Sequence, residues 1–148
     1  VSVTVRTAVS SDWPGLWPML ADMGVRDDES SCRERFLQLA EDRRWSVVVA
    51  ADGHRLLGYS AVQDHGEHLR AGLEGRVARL HELYVCPADR RTGIGRLLME
   101  HVVGWAGERV RFLQWQAHES RSAPFYERLG FHGEPCPQPD FPEFEVTF

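Results

Sequence analysis

The sequence predicts an α/β domain with a mixed, largely antiparallel central sheet of about seven strands flanked by about four helices. Three observations predict it. Valine-rich segments with strand character meet at an Asp52-Gly53 turn, apolar residues recur at helical spacing elsewhere, and the first 130 residues contain no repeat, low-complexity tract or linker. A second domain has nowhere to begin, so one domain spanning 1–148 is expected. A chain of 148 residues buries roughly two thirds of its unfolded surface, enough for a core without a disulfide or metal.

The elements follow in order. Val3 to Arg6 alternates as a short strand. Ser10, Ser11 and Asp12 offer N-cap oxygens to a helix reaching about Met23, with Leu16, Met19, Leu20 and Met23 on one face, Pro14 in the first turn and Pro18 as a point of kinking. Ser30 and Ser31 can cap a second helix carrying Phe36, Leu37 and Leu39. Trp45 to Ala51 and Leu56 to Gln63 form a hairpin across Asp52-Gly53. His65 to Gly75 is polar and glycine-containing, hence a loop, and Val77 to Val85 is a further strand. From Gly93, the residues Leu97, Leu98, Val102 and Trp105 keep helical spacing to Gly107. Arg111 to Gln116 is a fifth strand, Ser120 to Leu129 a helix ended by Gly130, and Phe131 begins a sixth strand. Pro135, Pro137, Pro139 and Pro142 delay regular structure until a last strand at Glu143 to Phe148.

Composition excludes several classes of function. The net charge of −5 argues against nucleic acid as the main partner and favours a cationic one. All 17 basic residues are arginine, and the chain has no lysine. Cys32, Cys86 and Cys136 are odd in number and far apart, so they build neither a disulfide framework nor a metal knuckle. A reducing, cytoplasmic setting follows. No apolar run approaches a membrane span, and Val1 to Thr7 lacks the regions of a signal peptide, so neither membrane partnership nor export is expected.

The most informative segment is Val85-Cys86-Pro87-Ala88-Asp89-Arg90-Arg91-Thr92-Gly93-Ile94-Gly95-Arg96, between a strand and a helix. Gly93 and Gly95 let bare backbone approach a ligand, and the helix start supplies unpaired N–H groups and the positive end of the macrodipole. Arg90, Arg91 and Arg96 make this stretch positive within an acidic chain. A phosphate-bearing ligand suits it. The dinucleotide fingerprint fails because its third glycine position is Leu98, and the P-loop fails for want of lysine.

Arg90-Arg91-Thr92-Gly93-Ile94-Gly95 resembles the Arg/Gln-x-x-Gly-x-Gly/Ala pyrophosphate loop of the GCN5-related N-acetyltransferases (GNAT family), and Leu83-Tyr84-Val85-Cys86-Pro87 is similar to the strand that precedes it there. Ser122-Ala123-Pro124-Phe125-Tyr126-Glu127-Arg128-Leu129-Gly130-Phe131 resembles the family's Phe-Tyr-Glu-Lys-Leu-Gly-Phe helix. The two motifs stand in the family's order and spacing. The resemblance implies acetyl-CoA as cosubstrate, with no metal. Leu83, Val85, Arg90, Arg91, Thr92, Gly93, Ile94, Gly95, Arg96 and Tyr126 would hold it. The family often has asparagine near the start of the second motif and alanine three residues later, where this chain has Glu119 and Ser122.

Acetyl transfer to an amine needs a proton acceptor, because an alkylamine with a pKa of about 10.4 is almost wholly protonated at neutral pH. The departing thiolate gains from a proton donor, and the residue matching the family's tyrosine acid is Tyr126. For the base, the strand leading into the phosphate turn offers His81 and Glu82. Regular alternation puts Arg79, His81, Leu83 and Val85 on one face and Ala78, Leu80, Glu82 and Tyr84 on the other, so both serve one cleft only across a bulge. His81, Glu82 and a water relay all remain open.

Other residues carry weaker signals. His65 and His68 are two loop histidines without further clustered ligands, which does not make a metal site. Trp13, Trp17, Trp45, Trp105 and Trp115 are mostly core by spacing, with room for one or two in an acceptor pocket. Asp27, Asp28, Glu29, Asp140 and Glu143 can attract a cation. The expected acceptor is therefore a primary amine of a small, cationic molecule. A protein N-terminus or lysine as acceptor, and a non-catalytic acyl-CoA sensor, stay open as alternatives, as does a homodimer.

Overall fold

The computed structural model describes residues 2–135 and 138–148. Cys136 and Pro137, in the proline-rich stretch, lie outside the described residues. The order of elements is β1 (Thr4–Thr7), α1 (Trp13–Asp22), α2 (Glu29–Glu41), β2 (Trp45–Asp52), β3 (Arg55–Asp64), β4 (Val77–Val85), α3 (Ile94–Gly107), β5 (Phe112–Gln116), α4 (Ala123–Arg128) and β6 (Glu143–Thr147). The strands follow one another across the sheet in chain order, β1 to β6. The pairing of β4 with β5 is parallel, while β1 with β2, β2 with β3 and β5 with β6 are antiparallel. The mixed sheet and four helices match the expected class, with six strands among the described residues rather than about seven.

Two compact units divide the chain: residues up to Gln63 together with His81–Val102, and Asp64–Leu80 together with Val103–Phe148. In the first, β2 and β3 bury nearly every residue, because helices cover both faces. One face of their ladder packs Val47, Val49, Tyr59 and Ala61 against Trp13, Leu16 and Met19 of α1 and Phe36 of α2. The other packs Val48, Ala50 and Leu57 against Ile94 and Leu98 of α3, with Leu83 and Val85 partly buried beside them. Gly58 permits a close approach here: a Cβ at this position would stand 2.4 Å from the Tyr84 carbonyl oxygen.

Two caps differ from expectation. Asp12 does not cap α1. Its carboxylate takes paired bonds of 2.8 Å from the Arg6 guanidinium and a third from the Val9 N–H, tying the helix start to β1. The Arg6 bonds hold the Asp12 carboxyl below the usual carboxylate range. At α2 it is Asp28, rather than Ser30 or Ser31, that accepts the Ser31 N–H at 3.0 Å, because the helix begins two residues earlier than the serines suggest.

In the second unit, Trp115 on β5 faces Phe144 on β6 across the ladder, their rings stacked at 5.4 Å. Phe131 meets Trp115 edge-on at 5.3 Å, and Tyr126 joins both Trp115 and Phe144. The strand expected from Phe131 does not form. Only an isolated bridge joins Glu134 to Glu143, because the Phe131 ring is committed to the aromatic cluster and Pro135 lacks a ladder donor. Gly130 takes a positive φ of 98° and ends α4 as expected.

Candidate active site

The turn from Arg90 to Arg96 grows out of the end of β4. Cys86 N–H closes the strand onto the Leu57 carbonyl at 2.8 Å, Pro87–Asp89 makes a single 3-10 turn, and α3 starts at Ile94. Two left-handed residues shape the bend between them, Arg91 at φ 65° and Gly93 at φ 92°. Nothing lies within 4 Å of a Cβ built on Gly93, so its glycine answers to backbone conformation rather than crowding. The Thr92 hydroxyl is spent inside the turn, donating to the Asp89 carbonyl.

The first inward bond of α3 runs from Leu97 N–H to the Gly93 carbonyl. The N–H groups of Ile94, Gly95 and Arg96 thus precede the helical ladder, as an anion site requires. Ile94 and Gly95 are themselves buried, and the Ile94 side chain packs into the core with Val48, Ala50 and Leu57. Arg90 is held in place by its Nε bond to the Val85 carbonyl at 2.9 Å and by the Tyr84 ring 5.6 Å beneath it. Arg91 and Arg96 are exposed and form no ion pair among the described residues. The turn therefore suits a pyrophosphate by charge and by donors. Leu83 and Val85 turn their side chains into the α3 core, so only their backbone is available to a ligand.

Upstream on β4, His81 and Glu82 depart from strict alternation. Tyr59 and Gln63 stand on one face of β3, in unbroken register with β2. The Tyr59 hydroxyl donates to Glu82 Oε1 at 2.8 Å, and Gln63 Oε1 lies 2.9 Å from His81 Nε2. Trp45, the ladder partner of Gln63, stacks its ring on His81 at 5.0 Å. Consecutive residues of β4 thus reach the same face, which a regular strand forbids. The bracketing ladder bonds, Cys86 N–H to Leu57 and His65 N–H to Val77, show why: nine steps along β4 oppose eight along its neighbour. The extra residue is a β-bulge. The grouping of His81 with Leu83 and Val85 that a regular strand would give therefore does not hold, and the bulge brings His81 and Glu82 to one face.

Glu82 and His81 nonetheless have different surroundings. Glu82 is half-buried and forms part of the wall of a cavity of about 170 Å³, whereas His81 is exposed and does not line it. Helix α1 gives the cavity Trp13, Leu16 and Leu20, and α2 gives Cys32, Arg35, Phe36 and Leu39. Val25 between the helices, with Val47, Tyr59 and Ala61 on the sheet, completes it. Arg35 is engaged by Asp27 at 2.8 Å. Burial pushes the Tyr59 hydroxyl far up in pKa, and the charge of Glu82 pushes it further, so Tyr59 stays a neutral donor. Glu82 has no ion-pair partner among the described residues. Sequence reasoning missed Tyr59, Phe36 and Leu39 as site residues, since each reads only as a core position.

Tyr126 belongs to the second unit. It is buried between Trp115, at 5.3 Å, and Phe144, at 5.4 Å, and burial alone raises its hydroxyl pKa. Ser122 precedes its helix without a capping bond from the side chain. The Trp115 Nε1 is sealed from solvent without a partner. His65 and His68 join no group of metal-binding side chains among the described residues. No helix among them is long and apolar enough to cross a membrane.

The turn, the strand before it and the Tyr126 helix all fall within residues 43–133, which match the family model described as an acetyltransferase (GNAT) domain. The chain belongs to the GNAT family. Streptothricin acetyltransferase of Streptomyces lavendulae is 36% identical over 121 residues, 80% of this chain and 58% of that protein. The chain thus spans a little over half the length of that relative. An aminoglycoside N(6')-acetyltransferase type 1 of Acinetobacter genomosp. 13 is 26% identical over 86% of this chain and 88% of its own. Among solved structures, the PaiA N-acetyltransferase of Thermoplasma acidophilum, in complex with coenzyme A, superposes with a TM-score of 0.72 at 17% identity, covering 100% of both chains. That likeness shows the GNAT fold.

Proposed function

We propose that this GNAT domain transfers an acetyl group from acetyl-CoA to the primary amine of a small, cationic molecule, with Glu82 as the residue that receives the amine's proton. The observation that carries the reading is the Glu82 carboxylate. It is held by the neutral Tyr59 hydroxyl at 2.8 Å, stands in the wall of a mostly apolar cavity and lacks an ion-pair partner among the described residues. A half-buried carboxylate of this kind draws a cation.

An ammonium drawn into that cavity leaves water, and desolvation favours release of its proton while the Glu82 charge opposes it until the proton is transferred. Glu82 Oε atoms can accept that proton directly or through one water. The turn from Arg90 to Arg96 suits the pyrophosphate of the cosubstrate, through its backbone N–H groups and its guanidinium groups. Acetyl-CoA, when bound, supplies the thioester whose carbonyl carbon an amine attacks. Tyr126, kept protonated by burial, is the residue that the family resemblance assigns as the acid. His81, exposed and with its Nε2 2.9 Å from Gln63 Oε1, does not line the cavity. The names of both relatives support an amine acceptor.

A panel of primary amines, scored by release of free CoA thiol, tests the reading. Acetyl-CoA at a hundredfold excess over its Kd should stabilise the fold by about 2.7 kcal/mol. Stabilisation without thiol release from any amine would favour a binding module instead. No stabilisation at all would remove the cosubstrate from the proposal.

A further inference from the structure

We infer that the cavity between the α1–α2 pair and the sheet receives an apolar body, so that the acceptor is an aralkyl or branched-alkyl primary amine with its ammonium at Glu82; this rests on the acetyl-transfer reading. The size of the cavity limits its occupant. A volume of about 170 Å³ is close to the roughly 150 Å³ of an apolar cavity that admits benzene, which means one six-membered ring or one branched chain.

The chemistry of the wall limits it further. Leu16, Leu20, Phe36, Leu39 and Val47 present only hydrocarbon to the space. Of the polar groups of the wall, the Tyr59 hydroxyl is committed to Glu82 and Arg35 to Asp27, while the Trp13 Nε1–H has no partner but is sealed from solvent. A polyhydroxylated amine entering here would leave hydroxyls without partners, at roughly tenfold or more in affinity for each. A diamine would strip water from a second ammonium with no second carboxylate in the wall to receive it. An amine with one charge and one apolar body satisfies both limits.

Tryptophan fluorescence titration of the protein, without cosubstrate, compares 2-phenylethylamine and isobutylamine with glucosamine and putrescine. The apolar amines should bind at least tenfold more tightly than the hydrophilic pair. Leu39→Phe, which fills the cavity from its partly buried α2 side, should raise the KM for 2-phenylethylamine tenfold or more while the melting shift given by acetyl-CoA persists. Equal or tighter binding of glucosamine or putrescine, or a 2-phenylethylamine KM indifferent to Leu39→Phe in a folded variant, overturns the inference. Should the variant melt early, the wild-type comparison decides alone. Acetylation of hydrophilic amines only would sink this inference and leave acetyl transfer standing. Binding of 2-phenylethylamine blocked by Leu39→Phe, with no thiol released from any amine, would support the cavity's occupant and sink the transfer.

Discussion

The turn from Arg90 to Arg96 and the cavity wall around Glu82 lie on either side of the last residues of β4, and they are built by opposite means. The turn is contiguous in sequence and offers backbone: two left-handed residues and N–H groups ahead of a helical ladder. The wall is gathered from α1, α2 and three strands, and it offers side chains whose roles depend on their neighbours. Glycine spacing can announce the first. Nothing local announces the second, because Phe36 or Tyr59 as a cavity residue is indistinguishable in sequence from the same residue in a filled core.

This contrast predicts that damage to the wall reaches the proton and damage to the turn reaches the cofactor. The largest effect should come from Glu82→Gln, which keeps the shape and removes the charge. We expect kcat to fall about 10² to 10⁴-fold, the usual worth of a general base, with the acetyl-CoA Kd unchanged. His81→Ala should cost far less, and a larger loss from it than from Glu82→Gln would reverse the assignment of the base.

Tyr126→Phe should lower kcat by about 10² or more, again without weakening acetyl-CoA binding. Burial alone, with no hydrogen bond contributing, raises the Tyr126 hydroxyl pKa, so the melting temperature should hold. A melt that falls while turnover per folded molecule persists would make the hydroxyl structural.

In the turn, Gly93→Glu places a side chain on a residue at φ 92° and a negative charge where an anion is to sit. Acetyl-CoA affinity should drop by more than about tenfold, read as loss of the melting shift. An unchanged shift would place the pyrophosphate elsewhere.

A smaller effect should follow from Asp12→Asn, which breaks the paired bonds to Arg6 at the start of α1. About 1.5–3 kcal/mol of stability is at stake. Because the Asp12 pKa is lowered by folding, its contribution is present above the unfolded value of about 3.9 and disappears as pH falls through the folded value. Chemical denaturation across that window should show a shallower acid loss in the variant. Since α1 forms one side of the cavity, the amine KM should rise more than the acetyl-CoA Kd.

The smallest effect concerns His101 on α3, whose pKa burial lowers. The folded state then binds fewer protons than the unfolded one, so stability should decline as pH falls from about 6.5 toward the folded value. His101→Gln should flatten that slope, and an unaltered slope would show the imidazole to be freely solvated.

The local features can be read along the chain. The Asp52-Gly53 hairpin, the helix ended by Gly130, the strand into the Arg90–Arg96 turn and the turn itself all rest on φ preference and on period, which neighbours along the chain set. The other features depend on packing between elements distant in sequence. Phe131 reads as a strand and instead joins Trp115, since burying a ring against an aromatic cluster outweighs local strand propensity. His81 and Glu82 read as opposite faces, but the bulge turns both toward β3, and a bulge is settled by pairing between strands. The Glu82 carboxylate became a candidate base only when Tyr59, distant in sequence, was seen to hold it at the edge of a hydrocarbon cavity. A residue's type is written in the chain, whereas its desolvation and its partners are properties of the space that packing encloses around it.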